Sequence, residues 1–222
     1  MTIAYARKLR RSALCGMMFL VLVVVVSAGS AAAAPSCSRT RIAGAEKLVD
    51  PGRIDQRLLD ASVLAEVNYL RCRKGLAKLA PANGMRRAAE THARWMARAH
   101  DLTHLSSLRG KRTTSQRILA AARNIHMGSE NIAKVSLYRL DEAGRYRIVD
   151  APGCHFETGK GTRIGRHSYA SLARYVTDLW YRSGGHRKNM MDRRARIAGA
   201  GAGYDPRAGN CGGLYISQTI AG

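Results

Sequence analysis

Residues Ile197 to Tyr204 read Ile-Ala-Gly-Ala-Gly-Ala-Gly-Tyr, with glycine at every second position. A period of two belongs to an extended strand, whose side chains alternate between faces. Glycine repeated on one face suits a strand whose surroundings are crowded on that side. A last strand follows, in which Leu214, Ile216, Gln218 and Ile220 share a face. The earlier part of the chain has helical spacing instead. Asp55 can cap a helix carrying Leu58, Ala61, Leu64, Ala65 and Asn68, which Gly75 stops. Pro81 and Asn83-Gly84 mark a turn, and a second helix runs from about Met85 to Ala99 with Met85, Ala88, Ala89, His92, Met96 and Ala99 on one face. A basic loop at 105–113 leads to a short helix from Ser115 to Asn124 carrying Ile118, Leu119 and Ala122. A strand is expected at 132–138, and a hairpin from Tyr138 to Val149 around Asp141-Glu142-Ala143-Gly144. Residues 151–167 read as loop. A helix beginning near Ser168 presents Leu172, Val176, Leu179 and Trp180, and Gly184-Gly185 ends it. Helices first, then strands mixed with one more helix, predict an α+β fold with an antiparallel sheet.

The N-terminus has the form of an export signal. Arg7, Lys8, Arg10 and Arg11 precede an apolar run from about Met17 to Val26, and small residues follow through Ala34. Basic start, short apolar run and A-x-A-like end describe a secretory signal peptide over residues 1–34. An uncleaved anchor is the alternative, because the charge-free stretch is long enough to span a bilayer. Either way the remainder is predicted to be exported, secreted or periplasmic. The reading divides it into an N-terminal extension at 35–54 and a domain at 55–222. Mean hydropathy of -0.23 excludes a polytopic membrane protein.

Four cysteines lie beyond the signal: Cys37, Cys72, Cys154 and Cys211. An even number in an exported chain suggests two disulfides, with three possible pairings. Cys37–Cys72 and Cys154–Cys211 are favoured, because each ties a terminal or loop segment to the body. Free buried thiols are the alternative. The absence of C-x-x-C argues against a zinc ribbon or a thioredoxin-like site.

Several local patterns occur in order. Asn68-x-x-Arg71 precedes Gly75-Leu76, and His92-Ala93-x-x-Met96 lies on the second helix. His104 follows Leu102-Thr103. Then come Gly128-Ser129-Glu130-Asn131-Ile132-Ala133 and Trp180-x-x-Ser183-x-x-His186-Arg187-x-Asn189-Met190. Gly199-x-Gly201 and Tyr215-x-x-Gln218 complete the series. Over about residues 55–220 this set resembles the CAP superfamily of SCP-like, cysteine-rich secretory protein domains. The resemblance implies a three-layer α-β-α sandwich with a central antiparallel sheet. It also implies a cleft lined by two histidines and two acids, which holds a divalent metal in some members. On this chain His104 and His186 match the histidines and Glu130 the first acid. The second acid falls at Ser183, and Ser129 stands where a glycine is usual, so the site is a reduced version. Asn131 and Ser183 would border the cleft.

Two imidazoles and one carboxylate form an acceptable zinc set with water in the fourth position, although copper or nickel fit the same donors. A bound metal would lower the pKa of its water and make hydrolysis conceivable. Without metal the two histidines can exchange protons near neutral pH. The plainer alternative is that His104 and His186 hydrogen-bond across the cleft and hold the loop of Glu130. His92 reads as a core residue and Ser129 as a turn residue. His100 and His126 read as local hydrogen-bonding groups, and Trp95 and Trp180 as packing residues.

Lys and Arg number 37 against 15 acids, a formal charge of +22. Removing residues 1–34 takes away four positive and no negative charges, leaving +18. The basic residues recur in clusters: Arg71, Arg73 and Lys74; Arg109, Lys111 and Arg112; Lys160, Arg163 and Arg166; Arg187 and Lys188; Arg193, Arg194 and Arg196. Such a field attracts polyanions. For an exported protein these are anionic lipid headgroups and cell-envelope glycans, with a solvated surface lacking any partner as the alternative. Nucleic acid is not expected, because no recognised motif appears and aromatics do not alternate with the basic residues. The functional expectation is a binding module with a His/Glu cleft for a divalent metal or a small apolar ligand, as the resemblance implies for sterol- and fatty-acid-binding members. The alternatives are a metal-assisted peptidase using the same cleft and a cationic envelope-binding protein.

Overall fold

The computed structural model describes residues 36–222, so the export segment read at 1–34 lies outside the described residues. Helix α1, Gln56–Cys72, starts where expected: the Asp55 carboxylate accepts from the N–H groups of Arg57 and Leu58. Gly75, at φ +64°, turns the chain after it. A two-residue strand β1, Ala80–Pro81, precedes α2, Asn83–Ala99. The Thr113 capping box opens α3, Thr114–Ala121, and β2 runs from Gly128 to Ser136. One turn of helix, α4, covers Leu140–Ala143, and β3, Tyr146–Asp150, pairs with β4, His155–Thr158. A second capping box at Ser168 starts α5, Tyr169–Arg182. Helix α6, Gly184–Met190, and strands β5, Ile197–Asp205, and β6, Gly213–Ala221, complete the chain.

The main sheet has the order β1-β5-β6-β2. It is antiparallel apart from β1, which runs parallel to β5 over two residue pairs. The three layers follow from the glycines. A Cβ on Gly199, Gly201 or Gly203 would fall on the backbone of Arg86, Glu90 or Ala93 in α2, so the crowded side of β5 is the helix itself. The other face carries Ala198, Ala200, Ala202, Leu214, Ile216 and Ile220. It packs against Leu59, Val63 and Val67 of α1 and Leu172, Val176 and Trp180 of α5. The fold is α+β, with helices on both faces of a sheet.

Helix side chains take up ladder groups on both margins of the sheet. On β5, the Asp60 carboxylate accepts from the Ala200 N–H at 2.7 Å. The Gln56 amide bonds both polar groups of Ala202, at 2.9 Å and 2.8 Å. On β2, the Trp180 indole donates to the Ile132 carbonyl at 3.1 Å, and Asn189 donates to the Glu130 carbonyl at 3.4 Å. This explains why α1 buries polar Gln56 and Asp60 with its apolar face, while Leu58, Ala61 and Ala65 are only half-buried.

Several local expectations are corrected. The hairpin turn lies at Ala151-Pro152-Gly153, because Leu140 is drawn into a cluster with Phe156 and Ile164 and winds 140–143 into a turn of helix. Residues 155–158, read as loop, are its second strand. Gly184-Gly185 does not merely end a helix: α5 stops at Arg182 and the glycines open α6. Leu179 and Ala99 face solvent. The favoured cysteine pairing is present: Cys37–Cys72 and Cys154–Cys211, with Cα atoms 5.8 and 5.9 Å apart. The stretch 36–54 contributes Ala45 and Val49 to the core through backbone bonds to His167, Tyr169 and Ala170. Among the described residues no helix is long and apolar enough to cross a membrane.

Candidate functional site

Consecutive strand residues point to opposite faces of a sheet. On edge strand β2 this sends the side chain of Glu130 toward α2 and that of Asn131 toward α6. Glu130 pairs across the ladder with Thr219, and Asn131 pairs with Gln218.

The Glu130 side chain is fully buried, and so is that of Arg117 from α3. Arg117 Nη2 donates to Oε1 at 2.7 Å, and Nε donates to Oε2 at 3.2 Å. Thr114 Oγ1 donates to Oε1 at 3.1 Å, and Ser217 Oγ donates to Oε2 at 3.2 Å. His104 Nδ1 approaches Oε1 at 2.9 Å. The remaining Arg117 N–H groups hold the carbonyls of His104, Lys111 and Arg112, so this guanidinium folds the basic loop around the carboxylate. His92 stands behind, with Nε2 2.9 Å from the Thr103 carbonyl and 3.7 Å from Oε1, its ring stacked on Trp95.

On the other face, the Asn131 amide donates to Gln218 Oε1 at 3.1 Å and to the His186 carbonyl at 3.3 Å. Asn189 donates to Asn131 Oδ1 at 2.9 Å. This amide chain docks α6 and its His186 against β2. Ser183 serves the backbone where α5 gives way to α6: its carbonyl accepts from Arg187 N–H at 2.8 Å.

Burial alone would raise the Glu130 carboxyl. The His104 hydrogen bond, the charge and hydrogen bond of Arg117, and His92 when it is protonated outweigh it and hold the group below the ordinary carboxylate range. Burial lowers His92, which is therefore neutral at neutral pH, with Nε2–H donating to the Thr103 carbonyl. Burial also lowers His186, and the charge of His104 adds to the effect. The carboxylate takes Nδ1–H from His104 and leaves Nε2 as the free nitrogen of a half-exposed ring.

The sequence pattern of the CAP family, described as the cysteine-rich secretory protein family, matches residues 64–219. The chain belongs to the CAP family. Among solved structures, this CAP domain is similar to an extracellular SCP-domain protein from Bacillus anthracis, at 18% identity and a TM-score of 0.49, covering 74% of this chain and 40% of that one. It is also similar to an outer surface protein of Borrelia burgdorferi, at 14% identity and a TM-score of 0.48, covering 76% and 95%. A third is a cysteine-rich secretory protein from Staphylococcus aureus, at 12% identity and a TM-score of 0.39, covering 75% and 39%. No curated protein matches it.

The metal set implied by the family can be tested against these residues. Both Glu130 oxygens are engaged, and a cation there would have to displace a buried guanidinium. Among the described residues no group of three His, Cys, Asp or Glu is arranged to hold a metal ion. The carboxylate therefore does not fit a ligand role. It works as an anchor that orients His104.

The sequence reading placed His104, Glu130 and His186 in one cleft bordered by Asn131 and Ser183; the structure bonds His104 to Glu130 and sets the Asn131 amide against the His186 carbonyl on the other face of β2. The sequence reading missed Arg117, Thr114 and Ser217. One arginine among 37 basic residues, beside Ile118 on a short helix, carries no mark of burial.

Proposed function

We propose that this CAP domain is an exported binding module. It takes a small, largely apolar ligand with one polar head at the exposed side of His104. The observation that carries this is the placement of His104: Glu130 fixes its Nδ1 at 2.9 Å, and its sequence neighbours Leu102 and Leu105 are 46% and 55% exposed. Ligand sites combine apolar surface with a few fixed polar groups, and the oriented His104 nitrogen near exposed leucines supplies both. Export rests on the basic and apolar N-terminal segment, and two disulfides support it.

The test uses Trp95, whose indole donates to Ser107 Oγ at 3.0 Å in the same loop. Titration with a fatty acid and with a sterol should change its fluorescence saturably. The response should weaken at least tenfold in His104→Ala, while Leu119→Ser on α3 leaves it unchanged. If neither probe saturates, or if zinc binds at micromolar concentration and the signal depends on His104 and His186 together, this reading fails and the metal site takes its place.

A further inference from the structure

The basic clusters of the sequence do not all remain on the surface. Arg71, at the end of α1, is fully buried. Its Nε donates to the Ala77 carbonyl at 2.7 Å, and Nη1 donates to the carbonyls of Met190 and Asp192 at 2.7 and 3.0 Å. One guanidinium thus ties the turn after α1 to the chain leaving α6. These two walls bound a hollow of about 630 Å³. It is lined by Lys74, Arg187, Lys188 and Arg193, all exposed, with half-buried Leu76 and Tyr181 beside them. Cations far apart in the sequence meet there, and among the described residues no acid lines the hollow. The nearest acid in sequence, Asp192, has both oxygens bonded to Arg194, at 2.8 and 2.7 Å. Arg187 is held in place by donating to the Tyr181 carbonyl at 3.1 Å, with its guanidinium over the Tyr181 ring.

We infer that this hollow is a binding site for a phosphoryl-bearing anion. Two guanidinium forks match tetrahedral oxyanions in pairs, and the two ammonium groups add point charge. The hollow exceeds a bare phosphate, and Leu76 and Tyr181 suit the carbon portion of a phosphate ester. Arg71 holds both walls before any ligand arrives, so little ordering has to accompany binding. The site lies on different residues from the His104 face. It rests on the export reading only for which phosphate ester the protein meets.

The disulfide-bonded protein is titrated with glycerol phosphate by calorimetry. It is then tested for sedimentation with vesicles of phosphatidylglycerol against phosphatidylcholine. Replacing Lys74, Arg187, Lys188 and Arg193 with serine should weaken binding at least tenfold. The same change at Arg109, Arg145, Lys160 and Arg163 should weaken it less than threefold. The double variant Arg187→Lys and Arg193→Lys keeps the charge and loses the forks, and a several-fold loss is expected; this variant decides if the serine variant fails to fold. Binding of glycerol phosphate alone identifies a soluble ester as the source. Vesicle binding that glycerol phosphate competes away identifies a lipid headgroup. Equal losses in both serine variants, an unaffected lysine variant, or binding of neither probe overturns the site. Loss of the His104 ligand response alone leaves it standing.

Discussion

Arg117 and Glu130 share one buried contact, and everything at the site leans on it. Removing the guanidinium would strand a carboxylate in a dry interior, which costs about 3–5 kcal/mol. Arg117→Met is expected to lose that much in urea unfolding, and adding Glu130→Gln should recover about half by removing the stranded charge. Because Glu130 sits below the ordinary carboxylate range, its contribution is complete at neutral pH. It is lost as pH falls below about 4. Equal stability of the single and double variants would show that the pair contributes nothing as a pair. At this scale the sequence told half the story. Glu130 stood out because Gly128-Ser129-Glu130-Asn131 is a recognisable string. Arg117 did not, because the side chain that neutralises a buried acid is set by three-dimensional approach.

The helices and strands were legible where period and caps agree. Asp55 and Ser168 bond the starts of helices expected there, Thr113 does so for a helix expected from Ser115, and alternating glycine set β5 in advance. The hairpin was misplaced because two turn signals compete, and packing of Leu140 against Phe156 decides between them. The polar face of α1 could not be read either, since an acid at a helical core position looks like a solvated residue. Asp60 is that acid. Burial raises its carboxyl to about 6, against the bond from Ala200 and the charge of Arg86, which both lower it. Between about pH 4 and 6 the folded protein therefore holds a proton that the unfolded chain releases. Stability is gained as pH falls through that window and forfeited as it rises. Asp60→Asn keeps the acceptor for the Ala200 N–H and removes the charge. It should be more stable than wild type by about 1–3 kcal/mol at pH 7.5, with the difference closing near pH 4. Thermal melts at the two pH values check this, and a constant difference would refute the assignment.

For the whole molecule, the disulfides divide the work of holding the periphery. Cys37–Cys72 spans 35 residues and ties the start of the described chain to the end of α1. Cys154–Cys211 spans 57 residues and clamps the β3–β4 hairpin beside the entry to β6. Loop closure assigns each about 4 kcal/mol. Replacing Cys154 and Cys211 with serine should lower Tm and release amide protection at 140–165 first, while β5 and β6 stay protected. Simultaneous loss across the sheet would show that the hairpin is part of the central core. The sheet margins carry a final consequence. A strand edge normally invites an incoming strand to extend the ladder. Here the Ala200 N–H and both polar groups of Ala202 on one side, and the carbonyls of Glu130 and Ile132 on the other, are already bonded to helix-borne side chains. A foreign β-segment finds those groups already taken, which disfavours templated self-association at these positions.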